Sequence, residues 1–478
     1  MTGLLRWLLA TSIALTVAGH MVAQPPAKVP AKTATKAAQP APRPAAQDHC
    51  QVELVKVERE GVRTTPSQGI ENYYAGGNVH VKCRGRNIHM YADSIASYGG
   101  NVIQFISQGS RVRYRDSTTA LDADAGTYFK DGERFEAQGN AVHQDLKNGS
   151  TIKGSQINYL RPIKGVRPDL EVIAYNRPTV TYAVKDSAGT TQAPYTIVGN
   201  LVRALGSDAI YAGGAVTIDR EDLKGSADSL WLDSGKKQAG QLVGKASLRS
   251  QRNQGFVLTG STIDLGLKQK ELASLKAKGP GRLVTSDVTL DGDSVEIQLQ
   301  FRQVELTKSW GKKQRPTAVS AEYRILGDSL FIDSPNQRLS TVRAFGRAWA
   351  GTSAAASTDS GSAGRDWIAG ETVIARFIGR DTGNVKRNTI RELEAQQNAR
   401  SFYQTAPEKG QTKGSVNYTR ANQIVVTMRV TADSTNVDRI DAHGNVDGVH
   451  LQPAVAKRDT TRRADSSGVK PPVGKRRP

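Results

Sequence analysis

The sequence predicts an all-β protein, elongated, antiparallel and built from consecutive repeats. Three observations predict it. First, two signals alternate between Ile70 and Tyr159. Tyr74-Ala-Gly-Gly-Asn-Val79, Tyr98-Gly-Gly-Asn-Val102 and Ala137-Gln-Gly-Asn-Ala-Val142 read as Gly-containing turns running into apolar alternation. Tyr91-Ala-Asp-Ser-Ile95 and Leu121-Asp-Ala-Asp-Ala125 are Ala-Asp steps running into another. Like landmarks recur about 30–32 residues apart, so each half-period has room for a strand or two plus a turn. Second, the alternation has period two. Val79, Val81 and Cys83 oppose His80, Lys82 and Arg84; Ile88, Met90 and Ala92 oppose Asn87, His89 and Tyr91; Val112 and Tyr114 oppose Arg111, Arg113 and Arg115. One apolar and one charged face is the strand pattern, and no helical spacing fits as well. Third, hydrophobic residues are 38% of 478 and aromatics 6%, with 46 glycines. That balance suits a thin β structure better than a large compact enzyme.

In chain order, residues 1–23 read as a secretory signal peptide: Arg6 supplies the positive region, Leu8 to Val17 the short apolar run, and Met21-Val-Ala23 a cleavage site. An uncleaved anchor is the other reading of this segment. Residues 24–49 are a Pro/Ala-rich spacer. A first β region covers 50–183, ending in the strand-like Thr179-Val-Thr-Tyr182. A second covers 196–350, where Ile210-Tyr-Ala-Gly-Gly-Ala-Val216, Ala227-Asp-Ser-Leu-Trp-Leu232 and Gly327-Asp-Ser-Leu-Phe-Ile332 repeat the two signals without the Asn. Residues 351–366 are a Ser/Ala/Gly low-complexity loop, 367–455 hold a third β region ending in Ile440-Asp-Ala-His-Gly-Asn-Val446, and 456–478 form a basic, disordered tail. The chain lacks the long final run of aromatic-girdled strands that an outer-membrane barrel needs.

A net charge of +20 calls for an acidic partner: nucleic acid, anionic membrane or phosphorylated lipid. Export removes nucleic acid from that set. Cys50 and Cys83 are the only cysteines. An exported compartment lets them pair as a disulfide, and two separate thiols remain the alternative.

The sequence holds no catalytic constellation, and no cofactor is expected. There is no His-Glu-x-x-His, no Cys-x-x-Cys and no nucleophile elbow. His80 and His89 lack a third metal ligand and read as outward polar strand residues. Asp93, Asp124, Asp228 and Asp328 recur at equivalent places and read as turn carboxylates bonding backbone, rather than as calcium ligands or paired acids. Two basic clusters stand out. Arg111-Val-Arg-Tyr-Arg115 reads as alternating arginine on a solvated edge strand. Lys308, Lys312, Lys313 and Arg315 form the second, which reads equally as a solvated edge or as phosphate contacts.

The Gly-Asn-Val steps, Tyr91-Ala-Asp-Ser-Ile95 and Tyr128-Phe-Lys-Asp-Gly-Glu-Arg-Phe-Glu-Ala-Gln-Gly-Asn140 together resemble the OstA-like family, the lipopolysaccharide-transport bridge proteins also called LptA. The resemblance covers about 70–160, roughly a fifth of the chain. It implies an open, V-shaped antiparallel β jelly roll in two or three consecutive units, whose apolar interior holds acyl chains. By the alternation, Val79, Val81, Ile88, Met90, Ile95, Val112 and Phe135 face that interior. The implied protein is periplasmic, associated with the inner or outer membrane, and carries lipopolysaccharide or a related lipid without catalysis. Its implied partners are other bridge or membrane transport proteins joined by edge-strand addition, including copies of itself end to end. The reading from a different class is a structural or adhesive β-solenoid with a dry interior.

Overall fold

A computed structural model describes residues 49–453, apart from 66–68, 186–190, 252–254, 270, 353–365, 383–384, 405–413 and 432–434. The expected signal peptide, nearly all of the spacer, most of the low-complexity loop and the basic tail lie outside the described residues. Among these the chain forms thirty β-strands and no α-helix. The strands pair antiparallel with close neighbours in the sequence.

The long strands are each two half-strands joined at a bend. In Ile70–Cys83, residues 70–76 pair with Arg59–Thr65 on one side and, from 72, with 94–98 on the other, whereas 80–83 pair with Val52–Lys56 and 79–82 with 89–92. The register slips between Gly76 and Val79, leaving Gly77 and Asn78 outside the ladder at φ 85° and 49°. The same slip recurs at Gly213/Val216, Val243/Ala246, Phe345/Ala348 and Gln396/Ala399. A two-residue bulge with positive φ turns a strand sharply out of its own sheet. Because neighbours run antiparallel, first halves alternate with second halves along each layer, and the two layers, the first holding 70–76 and the second 79–83, are hinged along a line of bends.

This corrects one expectation. The Gly-Asn steps at Gly77-Asn78 and Gly139-Asn140 are mid-strand bends and not chain reversals, while Gly99-Gly100-Asn101 is a true turn, closed by Asn101 N–H donating to Tyr98 O at 3.3 Å. Both jobs need positive φ, so the same residues serve each.

The two layers face one another across a single apolar core. It contains residues from Cys50 to Val426, with alternate side chains of successive strands turned inward. Ring contacts mark the facing: Tyr114 of the second layer lies 5.3 Å from Phe135 and 5.1 Å from Tyr159 of the first, and Tyr323 lies 4.9 Å from Phe377. The ladder crosses both expected region boundaries. Thr179–Lys185 pairs with Thr191–Val198, and Thr341–Thr352 pairs with Trp367–Thr382. The strand Val112–Asp116 pairs with 88–91 on one side and with Thr119–Ala123 on the other, so its arginines do not lie on an edge as expected.

Candidate functional site

The bend line is built from the two signals in the sequence. On several of these bends a glycine faces an acidic or amide residue of the preceding strand or loop. Asp124 N–H donates to Gly139 O at 2.9 Å, Asn200 to Gly214 at 3.0 Å, Asp328 to Gly346 at 3.1 Å and Asn422 to Gly444 at 2.8 Å. A Cβ on Gly139 would stand 2.5 Å from an Asp124 carboxylate oxygen, and on Gly346 2.6 Å from one of Asp328. Only glycine fits there. The residue after it then donates to the same carboxylate: Asn140 Nδ2 at 2.8 Å to Asp124, Arg347 at 3.0 Å to Asp328. Where the chain changes layer through a loop, the carboxylate collects loop amides. Asp93 accepts from Gln108 N at 2.6 Å, Gly109 N at 3.2 Å and Ser110 Oγ at 2.6 Å. Asp293, which the sequence reading passed over, accepts from the amides of Lys312, Lys313 and Gln314 at 2.7–2.8 Å. The Ser110 hydroxyl and the loop amides hold the Asp93 carboxyl below the usual carboxylate range, and the loop amides do the same for Asp293. Of the recurrent carboxylates expected to bond backbone at their own turn, Asp93 bonds the amides of a facing loop, whereas Asp124 and Asp328 accept from side chains of the facing strand. No group of three or more His, Cys, Asp or Glu among the described residues is placed to hold a metal.

The seven inward residues named from the sequence all lie in the core: Met90 is 0% exposed, Val79, Val81, Ile88, Val112 and Phe135 are 1% exposed, and Ile95 is 5%. Further along, Tyr182, Tyr195, Ile218, Leu230, Leu248 and Leu272 line an apolar cavity of about 50 Å³ between the layers. At one end of this interior, Cys50 and Cys83 are joined by a disulfide with Cα atoms 5.2 Å apart.

Polar ties join the layers away from the bends. Glu133 is 2% exposed, and its carboxylate accepts from Cys50 N at 2.8 Å, Arg86 at 2.9 Å, Tyr128 OH at 3.2 Å and Arg161 at 3.5 Å. Asp116 accepts from the hydroxyls of Tyr159 at 2.6 Å and Tyr114 at 3.1 Å. Burial, reinforced by these carboxylates, pushes the three tyrosine hydroxyls up, so they remain donors. Further ties follow at Arg302–Asp222 (3.5 Å), Asn388–Asp287 (2.5 Å) and Thr389–Glu322 (3.2 Å). His80 and His89 contact each other on the outer face at 3.0 Å, stacked with Tyr91.

The expected phosphate contacts are not gathered in one place. Lys308 lies with its ammonium over Phe331 at 5.9 Å, and Lys312 and Lys313 are exposed on the loop held by Asp293. Arg315 alone enters a cleft, of about 710 Å³, on the outer face of the second layer. There it meets Arg324, Arg347 and Arg400, with Trp349, Glu371 and Asn398. These three arginines come from separate strands and converge only through register, with Trp349 opposite Leu326 and Ala369 opposite Arg400. Their outward parity was readable; their convergence was not.

Compared with protein-family models and with curated proteins, the chain matches none.

Proposed function

We propose that this chain is a periplasmic lipid carrier, a repeat-built β jelly roll that moves lipopolysaccharide or a related lipid toward the outer membrane. The observation that carries the reading is the apolar interior, which continues between two layers from Cys50 to Val426. Each acyl CH₂ moved from water into such an interior contributes about 0.8 kcal/mol. A lipid with several acyl chains gains most from a long trough, and the two layers are hinged along one line by bends. The polar ties elsewhere between the layers can exchange their partners for water when the layers part. The last strand, Asp447–Leu451, is exposed at all five residues, including Val449 at 54% and Leu451 at 60%. Such a strand offers backbone and apolar surface to a transport partner or a second copy. The OstA-like steps at 70–160 support the same reading.

One observation favours a structural β-solenoid instead: the inner side chains already fill the space between the layers, leaving the cavity near Leu230 at about 50 Å³. Mass spectrometry of the protein purified from its native envelope separates the two. A multi-acyl lipid in near-stoichiometric amount is the expected result. Protein that is folded and lipid-free would leave the structural reading.

A further inference from the structure

The outer cleft has a chemistry that the acyl-binding interior does not explain. It draws four guanidinium groups to one face of one layer. Arg315 and Arg347 share Asp328, at 3.2 and 3.0 Å. Arg324 and Arg400 make no ion pair among the described residues, although both line the cleft. Trp349 lies between them in the strand order, on Thr341–Thr352, which is flanked by the strands Tyr323–Leu326 and Trp367–Thr382. Its indole lies over Gly351: a Cβ on that glycine would collide with the ring's six-membered edge. Glycine at 351 therefore lets the ring lie down along the sheet as a flat platform within the cleft. Leu326, Val319 and Ala369 extend the apolar floor, and Glu371 and Asn398 stand at its side.

We propose that this cleft binds a phosphorylated sugar. Guanidinium groups with no ion pair among the described residues, on both sides of an aromatic platform, fit two phosphates carried by one ring, since arginine pairs with phosphate bidentately. The ring lies on Trp349, which offers a broad apolar face. Glu371 selects among anions. A bare polyphosphate would meet an uncompensated carboxylate, whereas a sugar hydroxyl donates to it and accepts from the Asn398 amide. The cleft's 710 Å³ falls within the range of small-molecule sites. The inference holds whether or not the interior carries lipid.

Titration calorimetry with acyl-free probes tests it and leaves the lipid question separate. The full chain is titrated with glucose 1,6-bisphosphate, inorganic pyrophosphate and glucose. The bisphosphate is expected to bind, pyrophosphate at least ten-fold more weakly, and glucose not measurably. Arg324→Ala with Arg400→Ala is expected to weaken the bisphosphate at least ten-fold at an unchanged melting temperature, because neither side chain makes an ion pair among the described residues. Trp349→Leu is expected to bring the bisphosphate down to the level of pyrophosphate. Failure of the wild-type chain to bind the bisphosphate overturns the proposal, as does equal binding by the double arginine variant. Equal affinity for bisphosphate and pyrophosphate, unmoved by Trp349→Leu, overturns the sugar assignment.

Discussion

At the scale of single residues, His143 is a buried base held far from its ordinary chemistry. It is 4% exposed, 5.9 Å from the Tyr159 ring, and neither ring nitrogen has a hydrogen-bond partner among the described residues. Burial pushes its imidazole down to about 4, against a smaller upward pull from Asp145 and Asp116. The unfolded chain takes up a proton near pH 6.5, while the folded chain stays neutral until about pH 4. Stability is therefore fully present above pH 6.5 and falls as pH drops through that window, by about 3 kcal/mol. Urea midpoints between pH 7 and 4.5 should fall steeply in the wild-type chain and more shallowly in His143→Phe. Parallel curves would show that His143 does not carry the loss. The inward parity of His143 was readable from Val142 and Asp145 no better than from chance, because a histidine in an alternating strand is as often outward. What decides it is Tyr159, brought opposite by the layer packing.

At the scale of the element, the bend is the unit that makes two layers from one chain. Gly85 and Gly139 both have positive φ, at 71° and 75°, but a Cβ on Gly85 meets nothing within 4 Å, and one on Gly139 meets Asp124. Gly85→Ala should cost about 1–2 kcal/mol from backbone strain alone. Gly139→Ala should cost roughly 3 kcal/mol, since Asp124 must also give up its place and its bond to Asn140. Adding Asp124→Ala to Gly139→Ala should restore part of the loss, a non-additivity that urea denaturation of the four variants measures. Strict additivity would mean that the carboxylate does not crowd the glycine. The face of Val79, Val81, Ile88, Met90, Ile95, Val112 and Phe135 was legible in the sequence because a one-residue slip would expose every apolar side chain at once. The bend was not legible, because a reversal and a change of layer ask for the same positive-φ residues. The pairing of Asp124 with Gly139 was visible only as a spacing.

At the scale of the whole molecule, each strand is hydrogen-bonded in the ladder only to close neighbours in the chain, as in other repeat-built proteins. The disulfide between Cys50 and Cys83 therefore acts on one end. Closing a loop across 33 residues stabilises by roughly 3–4 kcal/mol in the chain-entropy view. Reduction should speed amide hydrogen exchange across 52–83 and leave 416–430 at its former rate. Uniform acceleration would instead mean that the unit opens all at once. Continuity of the core past residues 183 and 351 was hidden from the sequence, where polar loops looked like boundaries; pairing of the strands on either side of each loop carries the core through. Nearest-neighbour pairing has a kinetic consequence as well. All-β proteins are usually slow to fold because their strands find partners far away in the chain. Here every ladder closes over a short stretch, and no strand waits for one made much later. A chain growing from its amino end can add each strand to an edge that already exists, so that the molecule is assembled in the order in which it is written.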